Sequence, residues 1–357
     1  MRVVDRYFFK EYLKLLVVTE LASVSIYLLV DTLSRVGNFQ GIQGGSMLAL
    51  EYFLYKLPLM ASQTLPLSSL LAALGVSGQL VRHNEILALE TAGVSPRRLL
   101  IPFLMGGLLM TLALFVLSEA LIPISYGKAG LLKQELKVKK GKTMLKEGFV
   151  FKPSKDSFCF ANLFDVRKAI LYGVTLVKLD KDFNLKQRID VDRALYTKKG
   201  WVAKNAMRTA FEATALFGKK EILPKIVLPI PFEPRELTDQ SLEPEEMNML
   251  RLKRYIQDQR QLGRDPASLE MDFHLRLALP LACPILILVA FPVATRSARP
   301  SFAGTLAFSL PLGFGYWLLT SFASSMGQAH LLPMGLAAWI SNLLFLGAGL
   351  ALVLRRT

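Results

Sequence analysis

The chain has 357 residues, of which 52% are hydrophobic and 20% are charged, and its formal net charge is +15. A mean hydropathy of +0.37 excludes an ordinary soluble protein, and the charged fraction excludes a protein made only of membrane helices. The composition therefore predicts an integral membrane protein with one sizeable polar part.

The first predicted element is an apolar helix. The N-terminal run MRVVDRYFFKEYLK is charged and aromatic, and no small-residue cleavage site follows the first apolar stretch, so we expect a retained helix and not a removed signal peptide. Stretches of roughly 20 apolar residues are long enough to cross about 30 Å of hydrocarbon. The six predicted spans are 12–34, 55–81, 97–124, 273–295, 302–326 and 331–354.

The distribution of Lys and Arg among the short loops predicts the orientation. The loops 36–54 and 327–330 contain neither residue, whereas both termini and the loops on their side of the membrane contain several. By the positive-inside rule, both termini are expected in the cytoplasm. The long polar segment between spans three and four is then expected on the opposite side of the membrane, because long domains translocate largely regardless of their charge.

Residues 143–232 are expected to form strands. Short runs such as GFVFK, SFCFANL and ILYGVTLVKL are rich in β-branched and aromatic residues, and turn signals such as KPSKDS and TKKG separate them. Regularly spaced strands without intervening helices favour an antiparallel sandwich or jelly roll. A linker helix follows, with Pro244 in its first turn and Gly263 after its end.

The predicted fold class is an α-helical membrane protein with six transmembrane helices and a periplasmic antiparallel β-jelly-roll domain. Its expected divisions are 1–125 for spans one to three, with a short cytoplasmic helix at 83–94, then 126–240 for the β-domain, 241–271 for the linker helix and 272–357 for spans four to six.

No catalytic or metal-binding motif is predicted. The histidines are isolated from one another, and the two cysteines fall in different surroundings, which favours neither a metal site nor a disulfide. The GKT sequence at 141–143 is not a phosphate loop, because Leu136 stands where that motif requires glycine. Any ATP hydrolysis is therefore expected on a separate protein.

A short charged segment, RHNEILALETAGVSPRR, separates spans two and three. Residues 84–92 are expected to form a separate helix that begins at Glu85 and ends before Gly93. Ile86 and Leu89 share one side of it at helical spacing. From the residues alone, this helix is either a connector on the lipid headgroups or a docking element for a partner.

The sequence resembles the LptF/LptG permease family over essentially its whole length. The resemblance rests on DRYFFKEYLK, on LPLMASQTLPLSSLLAALGVSGQLVRHNEILALETAGVSPRRL after it, and on LRLALPLACPILILVAFPVA in the fourth span. The NEILALETAGVS segment is the most specific part. The runs VVDRYFF, EPEEMNMLRLKRYI and LAAWISNLLFLGAGLALVLRR are more similar to the G-type subunit, LptG, than to the F-type, LptF.

The resemblance implies a permease subunit of an ABC transporter that extracts lipopolysaccharide from the inner membrane. It implies no cofactor in this chain, with ATP-Mg on the partner ATPase. The implied partners are lipopolysaccharide, a dimeric cytoplasmic LptB-like ATPase, an LptF-like sister permease, a single-span LptC-like regulator and a periplasmic LptA-like jelly-roll protein, and no nucleic acid. Two alternatives stay open: a subunit that moves an outer partner mechanically without transporting lipid, and a membrane-bound lipid enzyme.

In that family, the helix after span two docks in a groove of the ATPase. The resemblance places Glu85 opposite basic residues of the ATPase, and Ile86, Leu89 and Gly93 complete the expected coupling site. A short rigid helix of this kind can transmit a rigid-body movement, because packed interfaces have discrete arrangements.

The lipid is expected to meet cations at the outer rim and apolar side chains below them. The candidate phosphate ligands are Arg35, which also carries the family resemblance, and Lys56, Lys128, Lys133 and Arg276. The candidate acyl-chain contacts are Leu21, Ile26, Leu59, Leu67, Phe308, Phe314 and Trp317 in the spans, and Phe149, Phe151, Phe158 and Phe160 inside the β-domain. Interfacial anchoring of the cations and ordinary packing of the apolar residues are the alternatives.

Overall fold

The architecture comes from a computed structural model, which describes most of the chain. The described residues are 3–35, 37, 39, 45–139, 145–154, 156–165, 168–180, 184–197, 200–211, 219–234, 243–261, 265–296 and 302–355. The helices are α1 (Val3–Arg35), α2 (Gly45–Arg82), α3 (Glu85–Thr91), α4 (Pro96–Val116), α5 (Ile122–Lys139), α6 (Met249–Gln261), α7 (Ala267–Ala278), α8 (Ala282–Arg296), α9 (Phe302–Gln328) and α10 (Met334–Leu354). The strands are β1 (Leu145–Ser154), β2 (Ser157–Asp165), β3 (Ile170–Leu179), β4 (Leu185–Thr197), β5 (Gly200–Ala210) and β6 (Lys219–Val227).

Long apolar helices confirm the predicted membrane protein. Within the described residues, five helical segments are long and apolar enough to cross a membrane, and α9, with 27 residues and no charged side chain, is a further apolar helix. A π-helical turn at Leu117–Leu121 joins α4 to α5, so the third span continues to Lys133. A 3-10 turn at Leu279–Leu281 joins α7 to α8 in the fourth span.

The prolines of the fourth span interrupt backbone hydrogen bonds, and neighbouring helices replace these bonds. Pro284 has no N–H to donate to the carbonyl of Pro280, and the hydroxyl of Thr111 donates to that oxygen instead, at 2.8 Å. The side-chain amide of Asn342 donates to the carbonyl of Ala278 at 2.7 Å. An unsatisfied carbonyl in lipid costs several kcal/mol, so these bonds fix α4 and α10 against the kink.

Helix α2 lies at the centre of the bundle, in contact with α1, α5, α8 and α9. Helix α1 lies on the outside: 6% of its most apolar window is buried, against 72% for the span formed by α7 and α8. Most of the surface of α1 is therefore available to lipid or to another chain.

The predicted antiparallel domain is confirmed as one six-stranded sheet. The strands pair in the order β1-β2-β3-β4-β5-β6, so each is joined to its neighbour by a hairpin. This order is that of a meander, without the crossing connections of a Greek-key jelly roll.

Irregular positions interrupt the pairing of the sheet. Pairing between β2 and β3 omits Asn162 and Gly173, and pairing between β5 and β6 omits Asn205. Gly173 and Asn205 have φ values of 58° and 55°, left-handed conformations that turn the following side chains to the other face. The buried pairs Leu171 and Val174, and Ala203 and Ala206, are therefore three residues apart and belong to one hydrophobic core.

Two phenylalanines predicted inside the β-domain lie on its outside. Phe160 is 43% exposed and Phe158 is partly exposed, whereas Cys159 and Ala161, which alternate with them, are buried. The interior assignment of Phe158 and Phe160 was wrong because strand alternation buries only one face, and on this part of β2 the buried face carries Cys159 and Ala161.

Phe149 and Phe151 were predicted inside the same domain. Through the backbone they pair with Ala161 and Cys159 across β1 and β2. Their side chains lie outside the part of the chain that the structure describes, so their interior position stays a prediction.

Candidate functional site

Asp31 joins two of the five predicted cations at the end of the bundle that leads to the sheet. Its Oδ2 accepts a hydrogen bond from Lys56 Nζ at 2.7 Å, and its Oδ1 accepts one from Arg35 Nε at 2.9 Å. We call Asp31, Arg35 and Lys56 the charge triad. Because one carboxylate serves two cations, the triad keeps a net charge of +1.

Lys56 is more deeply buried than the sequence predicts. It was expected to open the second helix at the rim, but α2 begins at Gly45, and Lys56 is only 4% exposed. The preceding turn of α2 packs Tyr52 and Phe53 against Phe39. A buried ammonium needs a counter-ion, and removing one partner of such a pair typically costs about 3–5 kcal/mol, so Asp31 is required where Lys56 is buried.

Glu243 holds the segment before α6 against α5. Its Oε1 lies 2.9 Å from Lys133 Nζ, and its Oε2 accepts a hydrogen bond from the hydroxyl of Tyr126 at 2.6 Å. The side chain of Lys133 is 44% exposed, so this candidate ligand is paired but still reachable from solvent.

Arg276 holds the same segment from the side of α7. Its guanidinium donates to the carbonyl oxygens of Pro244 and Met247. The backbone N–H of Met249 donates to Glu119 Oε2 at 3.0 Å. Because Arg276 donates from both terminal nitrogens to backbone carbonyls, the structure favours a structural role for it over the predicted phosphate contact. We call the side chains that hold this segment the linker clasp. They are Glu119, Tyr126, Lys133, Glu243 and Arg276.

Two carboxyls of the linker clasp region have opposite pKa shifts. Burial raises the pKa of Glu243, but hydrogen bonds from Tyr126 and Lys133 outweigh burial and leave that pKa below its usual value. Burial and then the charge of Glu243 raise the pKa of Glu246 to about 7. Glu246 lies against Gly130 of α5, so its protonation affects the contact between linker and helix.

The contact of Glu246 with α5 is expected to stabilise the fold less as the pH rises towards neutrality. A carboxyl whose pKa is raised on folding binds its proton more tightly in the folded state, so the free energy of unfolding falls between its usual pKa of 4.5 and about 7. Glu246→Gln should remove this part of the pH dependence of the thermal unfolding midpoint in detergent, whereas Glu221→Gln, on the exposed edge strand, should not. An identical pH dependence in Glu246→Gln and the unmodified protein would contradict the assignment.

Three of the candidate cations keep part of their charge exposed. The side chain of Arg35 is 40% exposed. Lys128 is exposed, and its ammonium lies over the ring of Tyr55, 5.4 Å from the centroid. With Lys133, these side chains offer positive charge to an anion outside the bundle.

The apolar candidates in the spans fall into two groups. Leu21 and Ile26 on α1 are exposed, and so are Phe308, Phe314 and Trp317 on α9. Leu59 and Leu67 on α2 are partly buried, and Leu67 packs against the core of the bundle next to Gly313. The exposed faces of α1 and α9 therefore meet lipid, another chain or a bound acyl chain.

The short helix α3 packs onto the opposite end of the bundle. Ile86 is 3% exposed, and both it and Leu89 pack into the core formed by the long helices. The exposed apolar residue is Leu87, at 58%. A helix of seven residues is not stable alone in water, so it buries its apolar side, with Ile86 and Leu89, against its own chain. The role of these two residues in coupling stays a prediction. Gly93, with φ +83°, turns the chain after it.

Glu85 borders a polar cavity at the start of α3. The cavity has a volume of about 380 Å³, and the hydroxyl of Tyr7 lies 3.5 Å from Glu85 Oε1. Its polar lining residues are Tyr7, Glu11, Gln79, His83 and Glu85. Glu11 already pairs with Lys14, so Glu85 is the carboxylate of this cavity that favours a cationic side chain as its partner.

The chain matches the family model for the lipopolysaccharide export system permease LptF/LptG over residues 6–355. The chain belongs to the LptF/LptG family. It is therefore a non-catalytic membrane subunit of the ABC transporter that extracts lipopolysaccharide, and the family carries no cofactor. No curated protein matches the sequence significantly. Among the described residues of this permease, no group of three or more His, Cys, Asp or Glu side chains could hold a metal ion.

Sequence reasoning did not identify all the acidic members of the permease's two ion clusters. It leads one to expect that Asp31 is paired or interfacial, and the structure shows it paired with Arg35 and Lys56. It did not single out Glu119 or Glu243. A signal existed for Asp31, because Arg35 follows it by one helical turn, a spacing typical of ion pairs. Glu243 contacts Lys133 across 110 positions of the chain, and no local pattern predicts such a contact.

Proposed function

We propose that this chain is the G-type permease, that α3 receives the movement of the ATPase, and that Arg35, Lys56, Lys128 and Lys133 bind the phosphates of lipopolysaccharide. Three runs of its sequence support the G-type assignment, at the N-terminus, in the linker and at the end of α10. The F-type sister permease then completes the enclosure, with the exposed faces of α1 and α9 at the seam.

The proposed orientation has α3 and both termini in the cytoplasm and the sheet in the periplasm. The Lys and Arg content of the short loops supports it. The LptB-like ATPase then docks at α3, while LptC-like and LptA-like proteins continue the lipid path from the sheet.

The proposed coupling site combines a rigid helix with an acidic anchor. Ile86 and Leu89 fix α3 to the long helices, so a displacement of α3 moves the bundle with it. Glu85, Leu87 and the turn at Gly93 remain on the side open to the ATPase. The acidic cavity beside Glu85 suits a basic side chain of that partner.

The observation that carries the proposed lipid site is the concentration of cations where the spans lead to the sheet. Lipopolysaccharide phosphates are anions, and Arg and Lys pair with phosphate in charge-assisted hydrogen bonds. The exposed apolar faces of α1 and α9 lie along the spans below these cations and are available to the acyl chains.

Reversing the exposed charges tests the proposed lipid site. The double variant Arg35→Glu and Lys128→Glu, assembled with ATPase and sister permease in nanodiscs, should lower ATP-dependent release of lipopolysaccharide at least about tenfold, the equivalent of 1.4 kcal/mol. ATP hydrolysis should continue. Lys225→Glu, an exposed charge on β6, is the matched control and should leave release unchanged. Unchanged release by the double variant would remove the assignment.

A further inference from the structure

The charge triad is already neutralised in part by an anion of the protein itself. Asp31 accepts from Arg35 with one oxygen and from Lys56 with the other, and both Asp31 and Lys56 are less than a tenth exposed. Asp31 uses one donor of each cation and offsets part of their charge. A phosphate that enters this position must therefore share the two cations with the carboxylate or displace it.

The triad bridges α1 and α2, which pack along each other. Asp31 and Arg35 lie on α1, and Lys56 lies on α2. Helix α1 is the least buried of the candidate spans. A displacement of α1 against α2 would lengthen the bond between Lys56 and Asp31, whereas Arg35, one turn away on the same helix, would stay beside Asp31.

The neighbouring charges do not replace Asp31. Glu243 is the other carboxylate within electrostatic reach of Arg35 among the described residues, and Lys133 and Tyr126 hold both of its oxygens. Tyr52 and Tyr126 also lie near Arg35, but a phenol is neutral at physiological pH. Asp31 is therefore the carboxylate whose release frees Lys56.

We infer that Asp31 is an internal competitor of the lipid phosphate, which holds Arg35 and Lys56 when no lipid is bound and takes them back when lipid leaves. The inference rests on the proposed phosphate contacts of these two cations. It assigns Asp31 a role in release: the carboxylate lowers the affinity for the phosphate and keeps Lys56 satisfied after departure. Asp31 is in this sense a positioning residue that sets how tightly a phosphorylated lipid is held.

The test compares a phosphorylated and a phosphate-free probe. Asp31→Asn, in nanodiscs with ATPase and sister permease, should bind bisphosphorylated lipid A about tenfold more tightly, the size of one hydrogen bond to a charged group. ATP-driven release should slow by a similar factor, and affinity for dephosphorylated lipid A should stay unchanged. Asp31→Glu, which keeps the anion, should behave as the unmodified protein. Glu270→Gln, which removes the carboxylate of an exposed pair with Arg260, is the control and should change neither affinity.

Asp31→Asn leaves Lys56 buried without a counter-ion, which can prevent folding. A second comparison avoids this problem. Lys56→Gln and the double variant Asp31→Asn with Lys56→Gln bury no unpaired ammonium. The double variant should bind bisphosphorylated lipid A more tightly than Lys56→Gln alone, because Arg35 is freed. Equal affinities in this pair, or an equal change for both probes in Asp31→Asn, would overturn the inference.

The variants also separate this inference from the proposed function. If Arg35→Gln and Lys56→Gln both leave affinity for bisphosphorylated lipid A unchanged, the cations do not bind phosphate, and proposal and inference both fail. If these variants weaken binding while the removal of Asp31 has no effect in either background, the phosphate contacts stand and the role of Asp31 alone is refuted.

Discussion

Glu85→Lys is expected to abolish ATP-dependent release of lipopolysaccharide. Glu85 lies at the start of α3 and shares a polar cavity with Glu11, so a lysine would place a cation where the proposed partner cation enters. Like charges at a contact cost several kcal/mol, and the ATPase should dissociate or hydrolyse ATP without moving lipid. The measurement is co-purification of the ATPase in mild detergent, followed by lipid release and ATP hydrolysis in nanodiscs.

A matched change of charge far from α3 isolates this effect. Glu221→Lys makes the same substitution at an exposed position of β6 and should leave both co-purification and release unchanged. Normal co-purification together with normal coupling in Glu85→Lys would refute the proposed docking of α3.

Gly107→Leu is expected to separate the helices of the bundle. A Cβ atom at Gly107 would lie 2.9 Å from Pro284 Cα and 2.7 Å from Ile287 Cδ1, so α4 could not keep its distance from α8. Backbone atoms cannot rotate away as a side chain can, and close helix contacts in membranes depend on small residues. The nearby bond from Thr111 to Pro280 should also break. We expect a loss of about 3 kcal/mol or more, measured as a lower thermal midpoint and a loss of monodisperse protein in detergent.

Gly127→Leu is the control for the same change of volume. Gly127 lies on α5, and a Cβ atom there has nothing within 4 Å. The free energy of unfolding of Gly127→Leu, followed by its thermal midpoint, should change by no more than about 0.5 kcal/mol. Equal midpoints for the two variants would show that the approach of α4 to α8 does not limit stability.

The long apolar helices and the antiparallel strands could be predicted because each follows from a local pattern. Uninterrupted apolar runs identified the spans, and β-branched runs between turn signals identified the hairpins. Helix α2 begins ten positions before the predicted span, because Glu51 interrupts the apolar run and the turns around it are held by packing of Tyr52 and Phe53 against Phe39. Local hydropathy does not record that contact.

The errors in the candidate site have the same origin. Phe158 and Phe160 look like core residues, but they alternate with Cys159 and Ala161, whose side chains face the core instead. Ile86 and Leu89 form an apolar stripe as predicted, yet their own bundle covers it. A sequence pattern gives the apolar side of an element, whereas the packing of distant elements decides what covers that side.

Labelling from each side of the membrane tests most directly whether α3 and the sheet lie on opposite sides. Thr91→Cys on α3 and Asn184→Cys beside β4 are both exposed positions, and the native Cys159 and Cys283 are buried and give little background. A membrane-impermeant thiol reagent should label Asn184→Cys in intact spheroplasts and Thr91→Cys only in inverted vesicles. Labelling of both positions from the same side would contradict transmission of movement from α3 through the spans to the sheet.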